Sequence, residues 1–537
     1  MKKTVLTSVT AAFLLVGAAA AQTPAGPNQL FVLADRCMAC HNGLVTPLGA
    51  DVSIGSNWRS SMMAHAARDP YWQAAVRREV LDHPSARSAI EDECATCHMP
   101  MADASARATG EKGRVFGYLP VGTAATPMAQ LAVAGVSCTV CHQITGEGLG
   151  ERESFVGGFV VDTAAPLGER QAFGPYDVDQ GRRTLMQSAS LFVPAKADHI
   201  QSSELCATCH TLFTHSLGPD GEVIGELPEQ VPYLEWRHSA YRGVRSCQSC
   251  HMPVVEADMP ITGVLGQDRS GFSRHVFRGG NFLMPRIFSR FADELRPQAL
   301  PEELDTGARN TVEHLQTSAA TIRIEGIERG DGSLRFELAL DNLAGHKLPT
   351  AYPSRRAWVS LVVTDRNGAT VFSSGALRPD GSIAGNDNDL DPARYEPHYA
   401  DISSADEVQI YEAIMEDPDG QVTTGLLSAV RFVKDNRLLP EGFDKESADD
   451  DIAVRGGARD DRDFAGGNDR VRYKVALGDA EGPYRIRAEL WYQPIAFRWA
   501  RNLAGYEADE PQRFVTYFDS MAPVSATVLA RAEALTD

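Results

Sequence analysis

The sequence predicts a chain in two parts, a mainly irregular and α-helical first half followed by an all-β, sandwich-like second half, and three observations carry that reading. All ten cysteines lie between Cys37 and Cys250. The segments between them are rich in glycine and proline, with only short runs at helical spacing. After about residue 310 cysteine disappears and apolar residues begin to alternate with polar ones, the mark of half-buried strands.

The cysteines decide what fills the first half. Every one belongs to a CxxCH: Cys37, Cys40 and His41; Cys94, Cys97 and His98; Cys138, Cys141 and His142; Cys206, Cys209 and His210; Cys247, Cys250 and His251. Two thiols three positions apart on a helical turn add to the two vinyl groups of one haem, and the adjacent histidine reaches the iron from the proximal face. A disulfide scaffold predicts no histidine after each pair, structural zinc needs four ligands from paired motifs, and a thioredoxin-like CxxC appears once in a βαβ setting. Five triplets therefore predict five covalent haem c groups. The porphyrins then supply much of the apolar surface that a helical domain would otherwise draw from its own side chains.

The elements follow in order. Residues 1–21 read as a secretory signal, with two lysines, an apolar run from Val9 to Ala21 and small residues that suit cleavage before Gln22. That run is too short to span a bilayer, and no later segment is long and apolar enough, so the expectation is a periplasmic or secreted protein without a transmembrane segment. Residues 22–310 form the pentahaem cytochrome c domain and 311–537 the β-sandwich-like domain. Within the first, Asp69 to Leu81 reads as a helix, with Tyr71, Trp72, Ala75, Val76 and Val80 at helical spacing, and Phe282 to Leu295 as another. Within the second, Thr321 to Ile327, Leu334 to Leu340, Arg470 to Leu477 and Tyr484 to Tyr492 alternate as strands. Trp358 to Thr364 and Ala369 to Ser374 flank Asn367-Gly368 as a hairpin. Gly375 to Gly466 reads as mostly irregular, with helix expected around Val408 to Met415.

Nine histidines remain beyond the five proximal ones: His65, His83, His199, His215, His238, His275, His314, His346 and His398. Electron-transfer haems usually carry two protein axial ligands, whereas an enzyme haem leaves one position open. His65, before the first helix, His238, before the fifth motif, and His275, after it, are the leading distal candidates. His199, seven residues ahead of the fourth motif, follows, and His346 in Ala344-Gly-His-Lys-Leu-Pro-Thr350 would cap a haem from the β half. His83 and His215 rank lower. Met99 and Met252, each directly after a motif, read as porphyrin packing rather than ligands.

The CxxCH series and the two Cys-His-Met-Pro sequences resemble those of bacterial multihaem cytochromes c, the class of tetrahaem cytochromes from ammonia oxidisers and pentahaem nitrite reductases. The resemblance covers residues 30 to 285, and the C-terminal half resembles the β domain appended to some environmental relatives. It implies either a wire or a reductase. Those nitrite reductases usually hold the catalytic haem through CxxCK, and all five motifs here end in histidine.

Three functions stay open. The first is electron transfer among redox partner proteins or to an extracellular acceptor. The second is oxidation or reduction of a small inorganic nitrogen or sulfur compound at one five-coordinate haem, with Arg355 and Arg356 as candidate anion or propionate partners. The third is a binding role for the β domain, where the Gly385 to Asp391 loop offers enough oxygens for calcium but lacks the EF-hand spacing. Seventy-one acidic against 51 basic residues, a net charge of −20, argue against nucleic acid and fit either a solvated surface or steering of a basic partner.

Overall fold

The structure, a computed structural model, describes residues 29–123 and 126–536; the signal sequence read over residues 1–21 lies outside them. The first half is built from short helices that leave a cavity between them. The longest helix before the last motif is Pro70–Asp82, where the sequence places it. Asp69 caps it, its carboxylate accepting from the backbone N–H of Tyr71 (2.8 Å) and Trp72 (3.3 Å), and Pro70 occupies the first helical position, where its missing N–H costs nothing. The expected Phe282 to Leu295 helix forms as two, Leu283–Arg290 and Ala292–Leu295. A hairpin, Leu212–Leu217 with Val223–Gln230, stands unforeseen among the helices.

The second half carries two main sheets. One orders Asp401–Ile402, Asn468–Ala476, Ser333–Asn342 and Ala320–Gly330. The other orders Thr370–Ser374, Arg356–Thr364, Tyr484–Gln493 and Thr527–Thr536, with Ile410–Tyr411 also paired to Arg356–Thr364. Register places apolar partners opposite one another: Val471 faces Leu338, Tyr473 faces Phe336 and Val475 faces Leu334, while Ile486, Ala488 and Leu490 face Val363, Leu361 and Val359. All twelve side chains are buried in one cluster between the sheets. The predicted hairpin turns at Asp365–Gly368, where Gly368 adopts φ +79° and Asp365 accepts from the N–H of Asn367 and Ala369.

Three expectations for this half change. Val408 to Met415 is not helical: Ile410–Tyr411 and Ala413–Glu416 are strands, because a short apolar run has no decisive period and the free edge of Arg356–Thr364 recruits it. Helices also enter the all-β half, at Phe497–Leu503 and Asp509–Met521. The second packs back onto Pro70–Asp82, with Phe514 against Tyr71 at 4.9 Å between ring centroids and Glu510 bonded through both oxygens to Arg77 at 2.9 Å. A third change concerns the Gly385 to Asp391 loop, whose oxygens have partners already: Asp389 grips the buried guanidinium of Arg356 at 2.8 and 3.0 Å and accepts from the Ile383 N–H. The loop therefore does not present a free oxygen cage for calcium, and Arg356 is committed to this pair, away from the cavity.

The helix Pro301–Ser318 runs across residue 310. One buried cluster includes Tyr71, Leu234 and Phe288 from the first half with Leu338, Leu490 and Phe514 from the second. Among the described residues no helix is long and apolar enough to cross a membrane.

Candidate haem-binding site

Each CxxCH forms about one helical turn. In the first, third and fourth motifs the histidine N–H donates to the carbonyl of the first cysteine at 3.0 Å, and the second and fifth lie at the C-terminal ends of Arg87–His98 and Cys247–His251. The turn sets both thiols and the imidazole toward one side. All ten sulfurs are free thiols rather than disulfides.

The five motifs converge on one connected cavity of about 950 Å³, lined by nine of the ten cysteines and all five motif histidines. Thiols of different motifs meet there within hydrogen-bonding reach: Cys37 with Cys138, Cys97 with Cys209, and Cys206 with Cys247. Cys141 lies close enough to Cys206 and Cys209 to act on both electrostatically. The fourth motif thus neighbours the second and the fifth, and the third neighbours the first.

Four of the five motif histidines share one tautomer. Nδ1 of His41, His98, His142 and His251 donates to the carbonyls of Ile261 (2.7 Å), Ala66 (2.9 Å), Phe173 (2.6 Å) and Arg278 (2.5 Å). A carbonyl can only accept, so in each ring Nδ1 carries the proton and Nε2 keeps its lone pair, the tautomer a metal requires. Trp72 stacks on His98 at 4.4 Å and 4°, which fixes that ring further. Burial pushes His98 and His251 down to about 4, and His41, His142 and His210 downward as well. Neutral imidazole is what remains near pH 7.

Two of the five proximal rings face a second histidine. His142 and His275 stand 6.4 Å apart between centroids with planes 17° apart, and His251 and His346 stand 6.2 Å apart with planes 13° apart. Two metal–imidazole bonds of about 2 Å each, with half a ring added on either side, separate axial centroids by about 6 Å. The spacing fits an iron between the rings and exceeds ring stacking. His275 donates from Nδ1 to the Ser273 carbonyl (3.0 Å) and His346 to that of Lys347 (2.9 Å), so both repeat the proximal tautomer.

The other distal candidates fare differently. His65 is fully buried beside Phe288, ring centroids 4.7 Å apart, and neither nitrogen makes a hydrogen bond. His199 spends Nε2 on the Ile144 carbonyl (2.8 Å) with its ring edge-on to Phe173. His238 ends its own helix, donating from Nδ1 to Leu234, while its Nε2 lies 3.4 Å from the Asp449 carboxylate. The structure sets neither His199 nor His238 against a motif histidine, because local carbonyl and carboxylate partners claim their rings first. His83 meets Ser428, and His215 meets Glu93. His398 is locked in the β half, its Nδ1 accepting from Gln409 and Asn436 and its Nε2 facing Asp461 at 3.2 Å. Met99 is buried in an apolar cluster, while Met252 lines the cavity.

His314 was not singled out by sequence, yet it lines the cavity 5.9 Å from His251. The signal was in its helix: Gly307, Thr311, His314 and Ser318 follow one another at spacings of four, three and four and form the stripe that faces the cavity. Arg355 also lines the cavity, donating to the Thr350 carbonyl at 3.0 Å, and its charge acts on His210 and His346. The two arginines considered together in the sequence therefore part company, Arg355 at the cavity and Arg356 in the β core.

The fold has a solved counterpart. A penta-heme cytochrome c552 from Thermochromatium tepidum is similar at a TM-score of 0.53 over 95% of this chain and 100% of that one, with 15% sequence identity. At that identity the likeness is one of fold. No family model and no curated protein matches the sequence.

Proposed function

We propose that this chain is a multihaem cytochrome holding five haem c groups, one on each CxxCH, and that it transfers electrons between redox partners in the periplasm or outside the cell. The observation that carries the reading is the convergence of five complete motifs on one cavity. Bound there, haem supplies a one-electron iron couple. Cys37, Cys40, Cys94, Cys97, Cys138, Cys141, Cys206, Cys209, Cys247 and Cys250 provide the attachment, and His41, His98, His142, His210 and His251 the proximal ligands. His275 serves the third motif from the distal side and His346 the fifth, each with its ring orientation set by a backbone carbonyl. The leader at residues 1–21 supports export, which covalent attachment requires.

Pyridine haemochrome assay and electron paramagnetic resonance of the purified protein test this. Five haems per chain are expected, with low-spin ferric signals from those of the third and fifth motifs, and a substantial high-spin fraction counts against a purely conducting role. A second reading is favoured by Arg355 at the cavity: one haem with an open position oxidises or reduces a small inorganic nitrogen or sulfur anion, with this guanidinium stabilising its charge. If nitrite, hydroxylamine and tetrathionate reoxidise the reduced protein no faster than buffer does, that reading is lost.

A further inference from the structure

We infer that the fifth motif has two interchangeable distal ligands, His346 and His314, and that it is a ligand-exchange site. The inference rests on the five-haem reading above. His346 lies 6.2 Å from His251 with planes 13° apart, and His314 lies 5.9 Å from the same ring with planes 73° apart. Both separations suit an axial pair, and rotation of an imidazole about its bond to a metal leaves that bond intact, so the angle excludes neither. His251 fills the proximal position, which leaves one place for two rings.

The two are held by independent elements. His346 sits in a loop tied down by Asn342, which donates to the His346 carbonyl at 2.9 Å, and by Lys347, whose N–H donates to Glu235 at 3.0 Å and whose Nζ pairs with Asp435 at 2.7 Å. His314 projects from the Pro301–Ser318 helix, and its Nδ1 is buried without a hydrogen-bond partner. An orphaned buried nitrogen is costly, and the ring that carries it lines the cavity beside His251. Exchange breaks the bond from iron to His346 and forms one from iron to His314. Both rings are neutral, so no electron or proton is gained or lost.

The test uses holoprotein variants His346→Ala, His314→Ala and the double variant, each counted for haem and examined by electron paramagnetic resonance. Both single variants are expected to keep the low-spin count of the unaltered protein. In His346→Ala one low-spin signal shifts from the form given by near-parallel imidazoles to the large-g form of near-perpendicular ones. The double variant gains one high-spin haem over the unaltered protein. A high-spin haem gained in either single variant, or none gained in the double, overturns the inference. Should His346→Ala load poorly, His346→Gln replaces it under the same criteria. Fewer than five haems in the unaltered protein would instead sink the five-haem reading itself.

Discussion

Asp435 shows what a single buried charge does for this site. Its carboxylate meets Lys347 Nζ at 2.7 Å and Arg437 at 2.8 and 2.7 Å, and Arg437 in turn pairs with Glu235 at 3.0 Å. All four groups are buried. Burial alone would raise the Asp435 carboxyl, but the Arg437 and Lys347 charges outweigh it and hold the group well below the usual carboxylate range. Asp435→Asn leaves buried Lys347 without a carboxylate and Arg437 with Glu235 alone, and a loss of about 3–5 kcal/mol is expected in denaturant unfolding. The sign with pH follows from a depressed folded value: the stabilisation is full above the unfolded value of about 3.9 and disappears as pH falls through the lower, folded one. Below about pH 4 the acid limb of the stability curve should therefore be shallower in the variant than in the parent. The same network anchors Lys347, next to His346, so it also holds the loop that sets His346 beside His251. His275 offers the simplest ligand test. His275→Ala should turn the third motif's haem high-spin, visible by electron paramagnetic resonance, because the ring facing His142 is the one within axial reach.

Among the elements, the C-terminal helix Asp509–Met521 does the least expected work. It belongs by sequence to the β half, yet Phe514 is fully buried against Tyr71 and Glu510 clasps Arg77 on Pro70–Asp82. That earlier helix carries Tyr71 and Trp72 to the cavity wall and Trp72 onto His98. Phe514→Ala should cost about 3–5 kcal/mol through the cavity it leaves, measured by thermal or denaturant unfolding. Glu510→Gln breaks an ion pair whose two side chains are one-fifth exposed or less, and the smaller loss of a partly buried pair is expected. A result in the reverse order would mean that charge, not packing, docks the helix. The strands behave more simply, since Asn468–Ala476 alternates buried and exposed along nearly its whole length and its apolar face has one partner sheet to meet.

At the scale of the molecule the two halves share a hydrophobic core, and the cavity is walled by both: His346, Tyr352, Arg355 and Tyr492 come from beyond residue 310. An acidic body of net charge −20 surrounds it. If a basic redox protein is the partner, the second-order rate of electron transfer should fall steeply as ionic strength rises through about 0.1 M, where the screening length is about 10 Å. Stopped-flow reduction at graded salt measures this, and a flat profile would remove electrostatic steering from the account.

What the sequence determined by itself was whatever is local. One helical turn carries a whole CxxCH, so Cys37 to His41 and its four counterparts could be read without a fold. Period-two alternation named the strands from Thr321 onward because one face of each is buried. Short apolar runs escaped, as Val408 to Met415 did, since length and period leave them ambiguous and an available sheet edge decides. The distal ligands were beyond local reading altogether. His275 meets a ring 133 positions earlier in the chain, and His346 and His314 come to His251 from a loop and a helix that line one cavity. Axial distance is a property of packed elements, and only the tertiary structure, by bringing those elements together, decided which histidines have it.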